Sequence, residues 1–96
     1  MQDKNYILLE HFCKHTSIAD SFLRSLIEFD LITHKKMQNE FYILEDEISE
    51  IERMFRLHDD LGVNMEGLDI INEMMSRIND MEQQMEYLRK RLSLYE

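Results

Sequence analysis

The sequence predicts a mainly helical fold with one small β-hairpin and a long coiled-coil helix at its C-terminal end. Three observations predict it. Proline is absent and glycine occurs only at Gly62 and Gly67 among 96 residues, a composition that suits helices better than a sandwich or a disordered tail. Apolar residues recur at helical spacing over most of the chain. The last of these stripes is an unbroken heptad seam.

The elements follow in order. "NYILL" (residues 5–9) is a short apolar run, either a strand or the entry to a helix. "LEHFCKHT" then places Leu9, Phe12 and Cys13 on one helical face, and Thr16 and Ser17 are turn and cap residues. A second helix runs from about Asp20 to Glu28 with Phe22, Leu23, Leu26 and Ile27 as its apolar stripe. Leu31-Ile32-Thr33 and Phe41-Tyr42-Ile43 are β-prone triplets flanking the polar "KKMQNE", which predicts a hairpin with its turn in that segment. "EDEISEIERMFRLHDDLG" is a helix whose first-turn acids Glu45, Asp46 and Glu47 suit the positive end of the dipole. Ile48, Ile51, Met54, Phe55 and Leu61 are its expected buried stripe, and Gly62 fits the left-handed position past its end. A helix-turn-helix followed by a hairpin is a winged helix. The expected division is a winged-helix domain over residues 1–70 and a dimerisation helix over residues 71–96.

The seam of the final helix is Ile71, Met74, Ile78, Met81, Met85, Leu88, Leu92 and Tyr95, spaced 3-4-3-4-3-4-3. Residues 71–96 extend about 39 Å at 1.5 Å per residue, farther than a small domain reaches, so the distal seam calls for a second chain. Asp80, Glu82 and Glu86 lie early in this helix and Arg89, Lys90 and Arg91 late. Antiparallel pairing sets basic end against acidic middle, so an antiparallel homodimer is expected.

Charge narrows the partners. The formal net charge is −9. Residues 1–44 carry five Lys/Arg against six Asp/Glu, while residues 45–96 carry six against fourteen. Lys and Arg are what displace counterions from phosphate, so the second half opposes nucleic acid and favours basic protein partners. Cys13 is the only cysteine, which excludes an internal disulfide and suits a reducing cytoplasm. No apolar run approaches the ~18 residues of a membrane span, and the opening "MQDKNYILLE" lacks the pattern of a signal peptide.

Nothing in the chain points to catalysis or a cofactor. Glycine-rich phosphate loops are absent, and the carboxylates decorate the polar faces of amphipathic helices. His11 and His15 are four apart, but a metal would need a third ligand and Cys13 points elsewhere. The expectation is a non-enzyme without a metal site. His58 is expected to flank the core.

The order of elements resembles the MerR-like winged-helix group. Residues 17–24, "SIADSFLR", are similar to its Gly-Val-Ser-x-x-Thr-Leu-Arg. Leu31-Ile32 resembles the close of its recognition helix, and "LHDDLGVNMEGL" (residues 57–68) its turn into the next helix. Ser17 and Asp30 stand where that group commonly has glycine, and the proline usual after the recognition helix is missing. "FCKHT" (residues 12–16), "RLHDDLGVNMEGL" (residues 56–68) and "YLRKRLSLYE" (residues 87–96) resemble one branch, the chaperone-modulator CbpM family. That resemblance covers about residues 6–95. It implies a dimeric adaptor that binds the J-domain of a DnaJ-like co-chaperone of the CbpA type and restrains its work with Hsp70.

J-domains present a basic helix, so the candidate binding surface is acidic: Glu50, Glu52, Asp59, Asp60, Glu66 and Asp69, with Arg53 and Arg56 available to orient the carboxylates through helical pairs. The alternative is a MerR-like transcriptional regulator that meets DNA through Arg24, Lys35 and Lys36. Three bases per subunit are few, and Glu40, Glu45, Asp46 and Glu47 lie close in sequence to the wing lysines.

Overall fold

The computed structural model describes residues 5–95, and the outer ends of the two expected segments, residues 1–4 and 96, lie outside them. The described elements are β1 (Tyr6–Leu8), α1 (Leu9–Lys14), α2 (Asp20–Glu28), β2 (His34–Met37), β3 (Glu40–Leu44), a 3-10 turn (Glu45–Glu47), α3 (Ile48–Leu61) and α4 (Met65–Ser93). The chain divides into two compact units, Met1–Met65 and Glu66–Glu96.

Within the first unit, α1 and α2 form the helix-turn-helix. Thr16 ties its turn: the hydroxyl donates to the Phe12 carbonyl at 2.9 Å and accepts from the Ile18 amide at 3.3 Å. α2 ends in a Schellman arrangement, with the Leu31 amide on the Leu26 carbonyl (2.8 Å) and the Asp30 amide on the Ile27 carbonyl (3.0 Å). Asp30 takes the left-handed residue of that motif, φ 57°. Aspartate tolerates this region better than most side chains, so it replaces the usual glycine here. Among the described non-glycine residues, positive φ falls at Asp30, Gln38 and Asn39. Ser17 therefore needs no glycine.

The sheet is antiparallel with order β1-β3-β2. The expected hairpin forms, but in a shifted place. Lys35, Lys36 and Met37, expected in the turn, belong to strand β2, and Leu31-Ile32-Thr33 is not a strand. Two causes act. Met37 pairs with Glu40, leaving the two-residue loop Gln38-Asn39 with φ 53° and 64°, a combination in which both residues follow the strand twist. Leu31 is meanwhile used by the helix cap, Ile32 is buried, and Thr33 is held by Glu47. The run at residues 6–8 resolves as β1, paired Tyr6 to Leu44 through Leu8 to Tyr42.

The buried residues of this unit come from each layer: Leu9 and Phe12 of α1, Ile18 of the turn, Phe22, Leu23 and Leu26 of α2, Ile32, Ile43 and Leu44 around the sheet, and Ile51 and Met54 of α3. Phe22 meets Phe55 edge-on at 5.4 Å between ring centres, a favoured geometry for an aromatic pair. Leu61 departs from the expected stripe and is 73% exposed. It is the last residue of α3, where the chain turns away at Gly62 (φ 70°).

In the second unit, α4 is one continuous helix, about 43 Å long at 1.5 Å per residue. Leu68 is buried and Ile71 half-buried; from Glu73 to Tyr95 every residue is exposed.

Candidate functional site

The exposed side of α2 is where a helix-turn-helix would meet a groove of DNA. It carries Ser21, Arg24 and Glu28, with Asp20 half-buried at its start. The Arg24 Nε donates to the Asp20 carboxylate one turn earlier, and its guanidinium lies 5.5 Å from the centre of the Phe41 ring. Lys36 approaches the same ring at 5.4 Å, and Lys35 lies 4.3 Å from the centre of Tyr6. Each such contact is worth about 0.5–1 kcal/mol at an exposed site. The three predicted DNA-contacting bases are thus exposed, but each already has an aromatic or acidic partner on the winged unit.

The predicted acidic surface is divided. On α3, Glu52 and Asp59 are seven apart and share one flank. Asp60 stands with Arg53, Arg56, Leu57 and Leu61 around a shallow groove of about 270 Å³. Glu50 is seven residues before Leu57 and lies on that flank instead. Glu66 and Asp69 are exposed on the first turns of α4, in the second unit. All six are exposed. Sequence reasoning identified the acids but assigned Leu61 to the core, and so missed the apolar part of the groove.

The turn after α3 is fixed by His58. Its Nδ1 donates to the Val63 carbonyl at 2.8 Å, and its ring lies 5.1 Å from that of Phe22. This holds the loop that begins at Gly62, where the amide bonds the His58 carbonyl at 3.0 Å. Histidine thus flanks the core as expected while remaining largely exposed.

The seam on α4 is uncovered. Met74, Ile78, Met81 and Met85 are each between 51% and 56% exposed, and Leu88, Leu92 and Tyr95 more so. Arg77 pairs with Glu73 at 2.9 Å, and Arg89 and Lys90 both approach Glu86, at 3.4 and 4.0 Å. These i,i+3 and i,i+4 pairs sustain a solvated helix by a few tenths of a kcal/mol each.

Other reactive groups are few. Cys13 is half-buried, and burial raises its thiol pKa, helped by the Asp20 carboxylate and opposed by Arg24. His11 and His15 lie with ring centres 4.2 Å apart. Among the described residues, no group of three or more His, Cys, Asp or Glu is placed to hold a metal, and no helix is long and apolar enough to cross a membrane.

Residues 7–90, which span this helix-turn-helix, the wing and most of the long final helix, match the family model of MerR HTH family regulatory proteins. The chain belongs to the MerR helix-turn-helix family. Neither a curated protein nor a solved structure gives a match. Membership in the MerR family supplies a scaffold, and the partner is decided by what that scaffold displays. In this member the recognition-helix face displays one arginine between two acids, Asp20 and Glu28.

Proposed function

We propose that this MerR-family chain is a non-enzymatic modulator that binds the J-domain of a DnaJ/CbpA-type co-chaperone through its acidic surface and inhibits the co-chaperone's work with Hsp70. The observation that carries the protein-binding half of this reading is the state of the recognition helix. Its only base, Arg24, is tied to Asp20 and stacked on Phe41, with Glu28 beyond it. A phosphate backbone must be met by bases that can release its counterions, and exposed acids on that face repel it, most strongly at low salt. Such a face suits a basic protein partner, for which complementary charge speeds encounter and excludes wrong partners.

The choice of a J-domain rests on the resemblance of residues 12–16, 56–68 and 87–96 to the chaperone-modulator family. Glu52 and Asp59 on their shared flank, Asp60 at the groove, and Glu50, Glu66 and Asp69 are the acids assigned to the contact. Leu57 and Leu61 supply apolar area beside Asp60. Homodimerisation through the α4 seam, antiparallel by the charge order along the helix, gives the modulator a second copy of this surface. The function needs no cofactor, and it belongs in the cytoplasm, where the J-domain partner works.

Family membership itself favours a second reading, a DNA-binding regulator that uses Arg24, Lys35 and Lys36. Steady-state ATPase measurement separates the two. The modulator reading expects the chain to suppress J-domain-stimulated ATP hydrolysis by Hsp70 in a saturable way, leaving basal hydrolysis unchanged. Undiminished stimulation at excess chain, together with tight binding to operator-like DNA, would establish the regulator instead.

A further inference from the structure

The hydrophobic seam of α4 has an unusual chemical bias. Met74, Met81 and Met85 hold three of its central positions, and each is more than half exposed in the single chain. Met54, by contrast, is 1% exposed. Thioether sulfur is apolar and pliable, so methionine fills a seam well, but it is also the oxidisable member of the apolar set.

We infer that the α4 seam is a redox-sensitive interface, in which oxidation of Met74, Met81 and Met85 by peroxide separates the two copies. The inference rests on the homodimer proposed above. In the oxidation, a sulfur lone pair attacks one peroxide oxygen, the O–O bond breaks, an S–O bond forms, and water leaves. Sulfur gives up the two electrons that peroxide gains. Oxygen enters on the dissociated chain, where these sulfurs face solvent. Reassociation must then bury three polar sulfoxides per chain among Ile78, Leu88 and their counterparts, with no hydrogen-bond donor at the neighbouring seam positions. A thiol-dependent methionine sulfoxide reductase reverses the change.

The tertiary unit is built to survive this treatment. The sulfur within its core, Met54, is shielded, and its other buried side chains are hydrocarbon. Met37, 49% exposed on β2, and the half-buried Cys13 lie outside that core; both are kept in the leucine variant below, which separates their oxidation from that of the seam. Oxidation therefore acts on assembly and leaves the winged fold standing. Loss of the dimer removes the second binding surface and weakens any partner that engages both copies.

The test is sedimentation velocity across a concentration series on the full chain, untreated and after dilute hydrogen peroxide, with peptide mass mapping of the added oxygens. Untreated protein sediments as a dimer. Treated protein carries one oxygen at each of Met74, Met81 and Met85, keeps its circular dichroism in the cold, and shows a dimer dissociation constant raised by at least ~100-fold. Reductase treatment restores the dimer. The variant Met74→Leu/Met81→Leu/Met85→Leu is a dimer before and after peroxide. Oxidised protein that stays dimeric with all three sulfoxides in place overturns the inference, as does a leucine variant that separates as readily as the parent. Untreated protein that is monomeric throughout the series removes the homodimer itself, and the inference with it.

Discussion

Glu47 holds Thr33 with both carboxylate oxygens: Oε1 accepts from the Thr33 amide at 2.8 Å and Oε2 from its hydroxyl at 2.6 Å. The clasp joins the loop after the recognition helix to the 3-10 turn that leads into α3, fourteen positions later in the chain and on the far side of the wing. It explains why Thr33 does not enter the sheet.

Glu47→Ala removes both acceptors at once. Hydrogen bonds to a charged group contribute about 1.5–3 kcal/mol each when sheltered, and the exposure of Thr33 lowers that here. We expect a loss of about 1–2 kcal/mol, read in urea melts as a lower midpoint at unchanged slope. Glu47→Gln, which keeps one acceptor, loses less.

Gly62 sits at φ 70° with nothing within 4 Å of where a Cβ would be. Gly62→Ala therefore tests conformation alone. It should cost about 1 kcal/mol, lowering the thermal midpoint by several degrees for a chain of this size. Gly62→Asn, better suited to the left-handed region, should recover part of the loss.

Cys13 is expected to be a sluggish thiol. With its pKa raised by burial and by Asp20, the thiolate fraction at neutral pH falls below that of an unstructured cysteine. Alkylation by iodoacetamide should be several-fold slower than for a free peptide thiol near pH 7, and should keep rising with pH beyond the point where the peptide levels off. Asp20→Asn removes one of the raising causes and should quicken the reaction at pH 7.

Charge reversal separates the surfaces. Asp59→Lys with Asp60→Lys should weaken J-domain binding by at least ~10-fold, about 1.4 kcal/mol, with the loss shrinking as salt rises. Lys35→Glu with Lys36→Glu on the wing should leave that affinity unchanged. Surface plasmon resonance on the two variants reads the contrast directly. A wing variant that loses binding while the Asp59/Asp60 variant keeps it would move the contact to the wing.

Much of this fold was legible in the chain. Period 3.6 in "SFLRSLIE" and in "ISEIERMF", and Gly62 after Leu61, located α2 and the body of α3, but Glu45–Glu47, read as the first turn of that helix, form a separate 3-10 turn before it. The hairpin was visible from "FYIL" but its partner strand was not. "HKKM" has low β-propensity, and its place is set by a two-residue loop, Gln38-Asn39, that lacks the glycine which usually announces one. β1 was ambiguous because its pairing is remote: Tyr6 meets Leu44. Leu61 kept step with Met54 in the helical repeat, yet the helix ends there and leaves it exposed.

The candidate site was legible in sign and not in arrangement. Composition alone shows an acidic second half. It does not show that Asp60 shares a groove with Arg53 and Arg56 while Glu52 and Asp59 stand apart from it, because that depends on which side of α3 the core takes. The stacking of Lys35 on Tyr6 had no local signal either, since the strands that bring them together are distant in the chain.

The partner proposed for this helix-turn-helix chain is a basic protein surface and not DNA. Isothermal titration of the full chain with the isolated J-domain of a DnaJ-type co-chaperone, at low and at moderate salt, tests it most directly. Saturable binding whose affinity falls as salt rises is the expected result. An absence of binding heat at both salts and at several temperatures, with both proteins folded, would contradict it.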